Sequence, residues 1–191
     1  ILSHDKSYLE VKNLQLTLPD NQLLIKGLSQ TFNSGDRVLI NGSSGKGKTT
    51  LLKAFNKLWP YVDGEIYQRP DINSLFISQK PYIPRSNLKE AICYPKITNL
   101  PSDSEVQQIL IQCGLSHLVD KLYADGNWGN DLSLGEQQKI AFGRILINKP
   151  DVIYMDEITS ALDETTEATL YRQTIEAFPE SLIISVGHRS T

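Results

Sequence analysis

Several features that define other classes of protein are scarce or missing in this 191-residue sequence. It has no run of about 18 apolar residues, so we expect no membrane-spanning helix in this chain, and it has no secretory signal pattern. Its two cysteines, Cys93 and Cys113, lack CxxC spacing, which predicts reduced thiols of a cytosolic domain. A formal net charge of -3 gives no footprint for bulk nucleic-acid binding, and we expect no nucleic-acid partner.

The overall composition is that of a folded domain. Hydrophobic residues make up 40% of the chain, and 12 glycines and 9 prolines are too few for a low-complexity sequence. The length suits one domain with an inserted lobe. Because the chain starts with Ile1 and stops at Thr191 directly after a strand-like segment, we expect a domain excised from a longer protein.

The most informative segment is a glycine-rich loop. Gly42–Thr49 reads GSSGKGKT, the full GxxxxGK[ST] phosphate-binding pattern. Arg37–Asn41 before it is predicted to be a buried strand, and Thr50–Phe55 after it a helix. Backbone N–H groups converging at a helix start suit a polyphosphate. Lys48 can reach the β and γ oxygens, and the Thr49 hydroxyl can bind Mg²⁺.

Two further motifs carry chemistry. The apolar run Val152–Met155 ends in Asp156 and Glu157. A carboxylate at the end of a buried strand suits Mg²⁺ binding beside a phosphate loop, and a second carboxylate can polarise an attacking water. Leu132–Gln138 reads LSLGEQQ and opens a predicted helix, whose positive end suits a second anion contact. Taken alone, this motif is more simply a helix N-cap at Ser133.

Apolar strands alternate with helical patterns along much of the chain. Strands are expected near residues 8–11, 14–18, 23–25, 64–67, 74–78, 152–155 and 181–186, and helices over 50–55, 103–124, 136–148 and 163–178. The alternation indicates a parallel sheet covered on both faces. The last helix is expected to bury Ala168, Tyr171, Ile175 and Phe178. The stretch from about 83 to 135 interrupts the alternation and is predicted to be an inserted helical lobe.

The order of the motifs, followed by Ser160–Asp163 (SALD) and His188, resembles that of ATP-binding cassette (ABC) proteins over essentially the whole chain. The resemblance implies an α/β fold: a P-loop NTPase with a RecA-like core, an N-terminal antiparallel β region and an inserted α-helical subdomain. It implies a single ABC ATPase domain over 1–191, with the core and β region at about 1–82 and 136–191 and the helical lobe at about 83–135.

The resemblance also implies roles for the motif residues. The Walker A loop binds ATP through Gly42, Ser43, Ser44, Gly45, Lys46, Gly47, Lys48, Thr49 and Thr50. Asp156 is similar to the Walker B residue that holds Mg²⁺ with Thr49, and Glu157 to the catalytic base. Gln79 is similar to the Q-loop glutamine, which contacts Mg²⁺ and the attacking water.

Three further residues match motifs that act at the γ-phosphate or between subunits. Ser133 and Gly135 lie in the signature motif that contacts the γ-phosphate bound in the opposite subunit. Asp163 matches the D-loop aspartate, and His188 matches the switch histidine. The cofactors implied are ATP and Mg²⁺.

The sequence departs from the family pattern in two places. The usual signature is LSGGQ, and here Leu134 and Glu136 replace a glycine and a glutamine. Leu18 stands where an aromatic side chain usually stacks on adenine, and it offers apolar contact without a π face. Tyr8 is an alternative that lies further upstream. Other purine nucleotides could therefore be tolerated.

Four short segments resemble subfamily D of the family: Leu58–Tyr61 (LWPY), Gln79–Pro84 (QKPYIP), Asn127–Trp128 before LSLGEQQ, and Ser185–Ser190 (SVGHRS). This branch includes peroxisomal fatty-acyl transporters and bacterial transporters of peptides or cobalamin, which fuse a transmembrane half to the ATPase.

The branch implies partners and a location. The partners are a second copy of the same or a homologous ATPase domain and a transmembrane domain of the same chain. Contact with the membrane helices would use the loop after Gln79, where Tyr82 and Arg85 are candidates. The location is the cytoplasmic face of a membrane, either a bacterial inner membrane or a peroxisomal or other organellar membrane.

Three alternatives stay open at this point. The chain could be a soluble ABC ATPase of DNA repair or translation, although those usually carry coiled-coil inserts or two cassettes. It could belong to another P-loop class, such as nucleotide kinases or GTPases, which have no use for LSLGE. It could be a regulatory domain that does not hydrolyse nucleotide, against which the intact Lys48, Asp156, Glu157 and His188 argue.

Overall fold

The structure is a computed structural model that describes residues 7–187. The predicted switch histidine, His188, lies outside the described residues. Two compact units can be distinguished. The first comprises the chain through Phe76, Pro150–Glu157 and the segment from Pro179 onward, and the second comprises Ile77–Lys149 and Ile158–Phe178.

The helices and strands of the described range are, in chain order, β1 (Ser7–Thr17), β2 (Leu23–Asn33), β3 (Arg37–Ile40), α1 (Lys48–Phe55), β4 (Val62–Gln68), β5 (Ser74–Ile77), β6 (Ser86–Asn87), α2 (Leu88–Cys93), α3 (Asp103–Gln112), β7 (Asp125–Gly126), α4 (Trp128–Asp131), α5 (Leu134–Asn148), β8 (Val152–Asp156), α6 (Glu164–Ala177) and β9 (Leu182–Val186). A 3₁₀ helix covers Ser116–Lys121 between α3 and β7.

An antiparallel sheet in the order β2-β1-β4 forms one layer of the first unit. The sequence suggested two strands near residues 8–11 and 14–18, but these are two halves of the single strand β1. Asn13, in the left-handed conformation with φ 47°, forms part of a bulge between them. An extra residue shifts the alternation by one, so that Leu9 and Leu14 are both fully buried.

The second layer of this unit is a four-stranded sheet in the order β3-β9-β8-β5. Strands β3 and β8 each pair with β9 in parallel, which confirms the parallel sheet expected from the sequence. Helix α1 contacts β8, β9 and β1. Its buried residues Leu52 and Phe55 join the two sheets in one apolar core that includes Tyr154. Burial of such side chains contributes roughly 1.5–3 kcal/mol each.

One strand differs from its predicted environment. The run Arg37–Asn41 was predicted to be buried on both faces, but Leu39 is 44% exposed. Strand β3 lies at the edge of the four-stranded sheet in the described part of the chain, so one side lacks a neighbouring strand. Arg37 is held at this edge by hydrogen bonds to the backbone carbonyls of Ser181 and Pro179.

The second unit is helical. Helices α2, α3 and α6 pack against α5, and the 3₁₀ helix packs against α3. Gly143 of α5 lets these helices approach, because a Cβ there would lie 2.9 Å from the Ile92 side chain. Cys93 and Cys113 are free, buried thiols, as the sequence predicted, and burial raises the pKa of Cys113 to about 12.

The predicted apolar face of the last helix is only partly buried, through Tyr171 and Phe178. Helix α6 begins after Asp163 and ends at Ala177, close to the expected bounds, but Ala168 and Ile175 are exposed. The buried residues are Glu167, Leu170 and Thr174 instead. Two of the polar groups on this face form local hydrogen bonds. The Thr174 hydroxyl donates to the Leu170 carbonyl, and Glu167 accepts from the Thr159 hydroxyl.

The predicted helix over 103–124 is also shorter than expected. It ends at Gln112, because Gly114 takes φ 69° and turns the chain into the 3₁₀ helix. Among residues 7–187, no helix is long and apolar enough to cross a membrane. The division into a core and a lobe over 83–135 stays a prediction.

The bulge in β1 yields the first testable expectation. Gly64 has φ 93°, and a Cβ there would lie 2.6 Å from the carbonyl oxygens of both Lys12 and Asn13. Gly64→Ala should therefore lower the free energy of unfolding by about 2–4 kcal/mol, measured by urea denaturation. Gly27→Ala is the matched control, because Gly27 has φ 70° but no neighbouring atom within 4 Å of a Cβ. Equal losses in the two variants would contradict the steric explanation.

Candidate nucleotide-binding site

The glycine-rich loop joins the end of β3 to the start of α1. Helix α1 begins at Lys48, and its N-cap, Gly47, has φ 83°. A Cβ at Gly47 would approach the Leu24 side chain to 3.1 Å, so glycine suits both the backbone conformation and the packing. The predicted order of strand, loop and helix is therefore present, and the free N–H groups in the first turn of α1 point toward the loop.

The Lys48 side chain is bound by the loop itself. Its ammonium donates to the carbonyl oxygens of Gly42 at 2.8 Å and Ser43 at 3.1 Å, and the residue is 9% exposed. The bonds hold a positive charge within the loop before any anion arrives. A polyphosphate bound by the loop would meet that charge together with the positive end of α1.

Thr49 and Asp156 meet at the carboxyl end of β8. The Thr49 hydroxyl donates to an Asp156 carboxylate oxygen at 2.8 Å. Burial raises the pKa of Asp156 above its ordinary value, the Thr49 bond opposes this, and the Glu157 charge adds to the increase. A hydroxyl and a carboxylate side by side are the hard oxygen donors that suit Mg²⁺, so these residues fit the metal expected from the sequence.

Glu157 has an unusual backbone conformation. Its φ is 50°, in the left-handed region, and its backbone N–H donates to the Val186 carbonyl of β9 at 3.1 Å. A non-glycine residue in this region carries a conformational cost of the order of 1 kcal/mol or more. The neighbouring strand therefore helps to hold Glu157 in a turn directly after Asp156.

These groups surround one cavity of about 240 Å³. The loop lines it with Ser44, Gly45, Gly47, Lys48, Thr49 and Thr50, and the other lining residues are Glu157, Leu18 and Leu24. Leu18 is thus placed where the sequence expected a nucleobase contact. Leu24 was not singled out from the sequence, because an apolar residue in a strand gives no sign of which cavity it lines.

The signature motif lies in the second unit. Ser133 is exposed and caps α5: its hydroxyl donates to a Glu136 carboxylate oxygen at 2.7 Å and accepts from the Glu136 N–H at 3.3 Å. The simpler interpretation of LSLGE as a helix cap is therefore correct as a description of local structure. Capping leaves Ser133 at the positive end of a 15-residue helix, where an anion contact is also favoured.

Gln138 is a residue that the sequence analysis missed. Its side chain is fully buried, and its amide donates to the Gln79 carbonyl at 3.0 Å and the Ser160 hydroxyl at 3.1 Å. Its oxygen accepts from the Ala161 N–H at 3.0 Å. One side chain thus joins the predicted Q-loop to the segment before Asp163. The sequence does place this glutamine side chain one turn into a predicted helix, on the face that apolar residues occupy.

The remaining predicted residues of this unit have clear local structures. Gln79 and Asp163 are both exposed. Asp163 caps α6, and hydrogen bonds from Thr165 and Thr166 hold the pKa of its carboxyl well below the ordinary value. The loop after Gln79 is held by Arg144, which donates to the Tyr82 carbonyl at 2.7 Å, while the Tyr82 ring is 64% exposed.

The fold and the loop geometry define a P-loop nucleotide-binding domain of α/β architecture. Residues 25–160 match the family model described as "ABC transporter". A solved structure titled "Structure of a bacterial Atm1-family ABC exporter with ATP bound" matches with a TM-score of 0.82 over 96% of this chain and 35% of that chain. At 23% identity, this likeness shows the fold alone.

Curated relatives agree with this family. An ABC transporter ATP-binding protein of Haemophilus influenzae is 44% identical over 98% of this chain and 32% of its own length. The inner membrane ABC transporter ATP-binding protein YddA of Escherichia coli is 37% identical over 94% of this chain and 32% of its own length. The human lysosomal cobalamin transporter ABCD4 is 36% identical over 88% of this chain and 30% of its own length.

The chain belongs to the ABC transporter family, and it is an ATP-binding ATPase domain of that family. Its relatives include D-family members, as the sequence motifs indicated. The fold class predicted from the sequence, an antiparallel β region with a parallel α/β core, is confirmed. The chain spans about a third of the length of the curated relatives it matches.

The buried carboxylate of Asp156 gives a second expectation. Its folded pKa is raised, so the folded protein binds more protons than the unfolded protein between about pH 4, where an unfolded aspartate titrates, and that higher pKa. Stability is therefore lost as pH rises through that window. Asp156→Asn removes this effect and should raise the melting temperature of the nucleotide-free protein at pH 7, with a smaller gain near pH 4.

The control for this experiment is Asp71→Asn, because Asp71 is an exposed carboxylate paired with Arg69 at 2.8 Å. Its replacement should change the melting temperature little at either pH. A lower melting temperature for Asp156→Asn at pH 7 would show that the Thr49 bond outweighs the cost of burial.

Proposed function

We propose that this chain hydrolyses ATP as one of two ATPase domains that together power a transporter. One observation carries this proposal: Lys48, Thr49, Asp156 and Glu157 are clustered at one glycine-rich loop within a single compact unit. An ammonium, a hydroxyl and two carboxylates at a loop of this type are the groups that phosphoryl transfer to water requires.

Each group at the loop has a distinct task. Lys48 and the N–H groups of α1 bind the β and γ oxygens and stabilise the negative charge that develops there. Thr49 and Asp156 are the residues that would hold Mg²⁺. When bound, this ion supplies Lewis-acid stabilisation of the phosphate oxygens. The hydrogen bond between the two residues fixes their oxygens side by side before binding.

Glu157 is the candidate general base. It follows Asp156 directly, lines the same cavity and is held in a turn by β9. A carboxylate in this position can orient a water for attack and accept its proton. Gln79 is proposed to contact the metal and the attacking water, and His188 to support the γ-phosphate.

Hydrolysis is proposed to need a second copy. Ser133 and Gly135 of that copy would contact the γ-phosphate held by Lys48 of the first, and Asp163 would lie at the interface. Such a head-to-tail pair has two-fold symmetry and contains two equivalent ATP sites. Gly135 suits a close approach, since a Cβ there would already lie 3.1 Å from the Ala161 carbonyl.

The transporter itself is proposed from the relatives. Because the chain spans about a third of their length, we infer that this ATPase domain is joined to a transmembrane domain in the same polypeptide. The exposed Tyr82 ring and Arg85, in the loop that Arg144 holds, are candidates for contact with it. The domain would then lie at the cytoplasmic face of a bacterial inner membrane or an organellar membrane.

Replacing the proposed base tests both hydrolysis and pairing. Glu157→Gln keeps the shape of the side chain but cannot accept a proton. We expect ATP turnover to fall about a hundredfold or more, ATP binding to persist, and a dimer to accumulate with ATP, as measured by sedimentation velocity. The matched control is Glu180→Gln, because this carboxylate pairs with Ser34 outside the cavity. Turnover at the parental rate in Glu157→Gln, or rapid turnover by a strict monomer, would overturn the proposal.

A fourth expectation concerns the nucleobase. Leu18→Tyr would place an aromatic ring at the cavity wall, and one stacking contact contributes about 0.5–1.5 kcal/mol. The KM for ATP should fall by roughly twofold to tenfold, measured in steady-state turnover. Leu23→Tyr is the matched control, because Leu23 lies opposite Thr17 in the same hairpin but does not line the cavity. An unchanged KM for Leu18→Tyr would place the base elsewhere.

A further inference from the structure

His117 binds the residue that distinguishes this signature from the usual one. Its Nε2 lies 2.9 Å from Oε1 of Glu136. The other carboxylate oxygen, Oε2, accepts from the Ser133 N–H at 2.9 Å and the Ser133 hydroxyl at 2.7 Å. Glu136 therefore connects His117 to Ser133 within the second unit, with one oxygen for each.

A second helix of the same unit shows that the cap alone does not need a histidine. At α3, Ser102 and Glu105 form the same arrangement, with the Ser102 hydroxyl 2.7 Å and its N–H 2.8 Å from one Glu105 oxygen. The bonds between serine and glutamate differ by 0.1 Å in one N–H distance, and the Ser102 hydroxyl has one more contact, with the Ser104 hydroxyl at 3.2 Å. His117 is therefore an addition specific to the signature helix, and it is not required for capping.

The arrangement creates a conflict at Ser133. A serine hydroxyl has one hydrogen to donate, and here that hydrogen is directed to Glu136. A terminal phosphate oxygen would need the same hydrogen. It would also be repelled by the carboxylate, whose pKa is lowered, chiefly by the Ser133 bond, so that it stays ionised. A protonated His117 reduces both effects. Its positive charge offsets the negative charge of Glu136, and it makes that carboxylate a weaker acceptor for the Ser133 hydroxyl.

The bond persists in either state of the imidazole. An ionised carboxylate only accepts, so Nε2 of His117 carries the hydrogen whether the ring is neutral or charged. What changes with pH is the net charge of the pair, because an imidazole gains a proton as the pH falls. His117 is 56% exposed as a side chain, so its protonation is in exchange with solvent.

We propose that His117 is a positioning residue for Ser133: through Glu136 it directs the serine hydroxyl and compensates the carboxylate charge, so that its protonation strengthens the contact with a terminal phosphate held by a second copy. This inference rests on the proposed pairing of two ATPase domains. It explains how a signature with a carboxylate in place of an amide can still receive a phosphate.

Other ionisable side chains lie on the elements that carry the pair or pack against them. Lys139, one turn further along α5, places its ammonium 3.5 Å from the Cβ position of Gly114. Asp103 accepts from Lys89, and Arg144 donates to the Ala91 carbonyl. The remaining ionisable side chains on the 3₁₀ helix and on the helices packed against it or against α5 are Glu90, Cys93, Glu105, Asp120, Lys121, Glu164, Glu167, Tyr171, Arg172 and Glu176.

The test uses ATP-dependent dimer formation in the Glu157→Gln background, measured by sedimentation at pH 6 and pH 8. The parent should associate more tightly at pH 6 than at pH 8. The ratio should be about threefold to tenfold larger than the same ratio for Glu136→Gln. Glu136→Gln keeps the cap without a charge and should match or exceed the parent at pH 8. His117→Gln should associate equally at both pH values, with the weaker affinity that the parent shows at pH 8.

Two controls make the outcome specific. His117→Gln combined with Glu136→Gln should behave as Glu136→Gln alone, because the histidine acts only through the carboxylate. Glu105→Gln alters the matched cap at α3 and should keep the pH dependence of the parent. The inference would be overturned if His117→Gln kept the full pH dependence of the parent. It would also be overturned if His117→Gln weakened association as much in the Glu136→Gln background as in the parent. Absence of any ATP-dependent dimer in the parent would instead overturn the proposed pairing.

Discussion

The hydrogen bond between Thr49 and Asp156 is the contact on which the organisation of the first unit depends. It joins the first turn of α1 to the carboxyl end of β8, and the two residues are 107 positions apart in the chain. Around it, α1 packs on β8 and β9 with Leu52 and Phe55 in the core. A shift of α1 along the sheet would therefore separate Thr49 from Asp156 and expose apolar surface at the same time.

Burial of the Asp156 carboxylate beside this bond carries an electrostatic cost. Burial raises the pKa of Asp156, which means that the ionised form is disfavoured in the nucleotide-free protein. The Lys48 ammonium donates to two loop carbonyls, and its positive charge also favours the ionised form of Asp156. A cation bound beside Asp156 would offset the cost of burying its charge, and an anion bound by the loop would interact with the ammonium of Lys48.

The sequence was informative where a residue type is dictated by local chemistry. The loop, the paired acids and the parallel sheet follow from glycine, lysine, carboxylate and apolar patterns, and the structure contains each of them. It was uninformative where the deciding contact is distant. The bulge at Asn13 joins two predicted strands into one, and its partner Gly64 lies 51 residues away. Likewise, nothing in the α6 pattern indicates that Glu167 is buried while Ile175 is exposed, because the Thr159 hydroxyl that donates to Glu167 lies before the helix.

The two departures from the family pattern are surrounded by residues that accommodate them. Leu18 lacks a ring, and Leu24 adds a second aliphatic side chain to the same cavity, so this part of the cavity wall is apolar without a π face. Glu136 adds a charge, and Ser133 and His117 bind its two oxygens separately. In each case a residue outside the motif, Leu24 or His117, modifies the surroundings of the changed residue. A motif match therefore establishes the chemistry of the site, whereas the contacts around its unusual letters determine how that chemistry is adjusted.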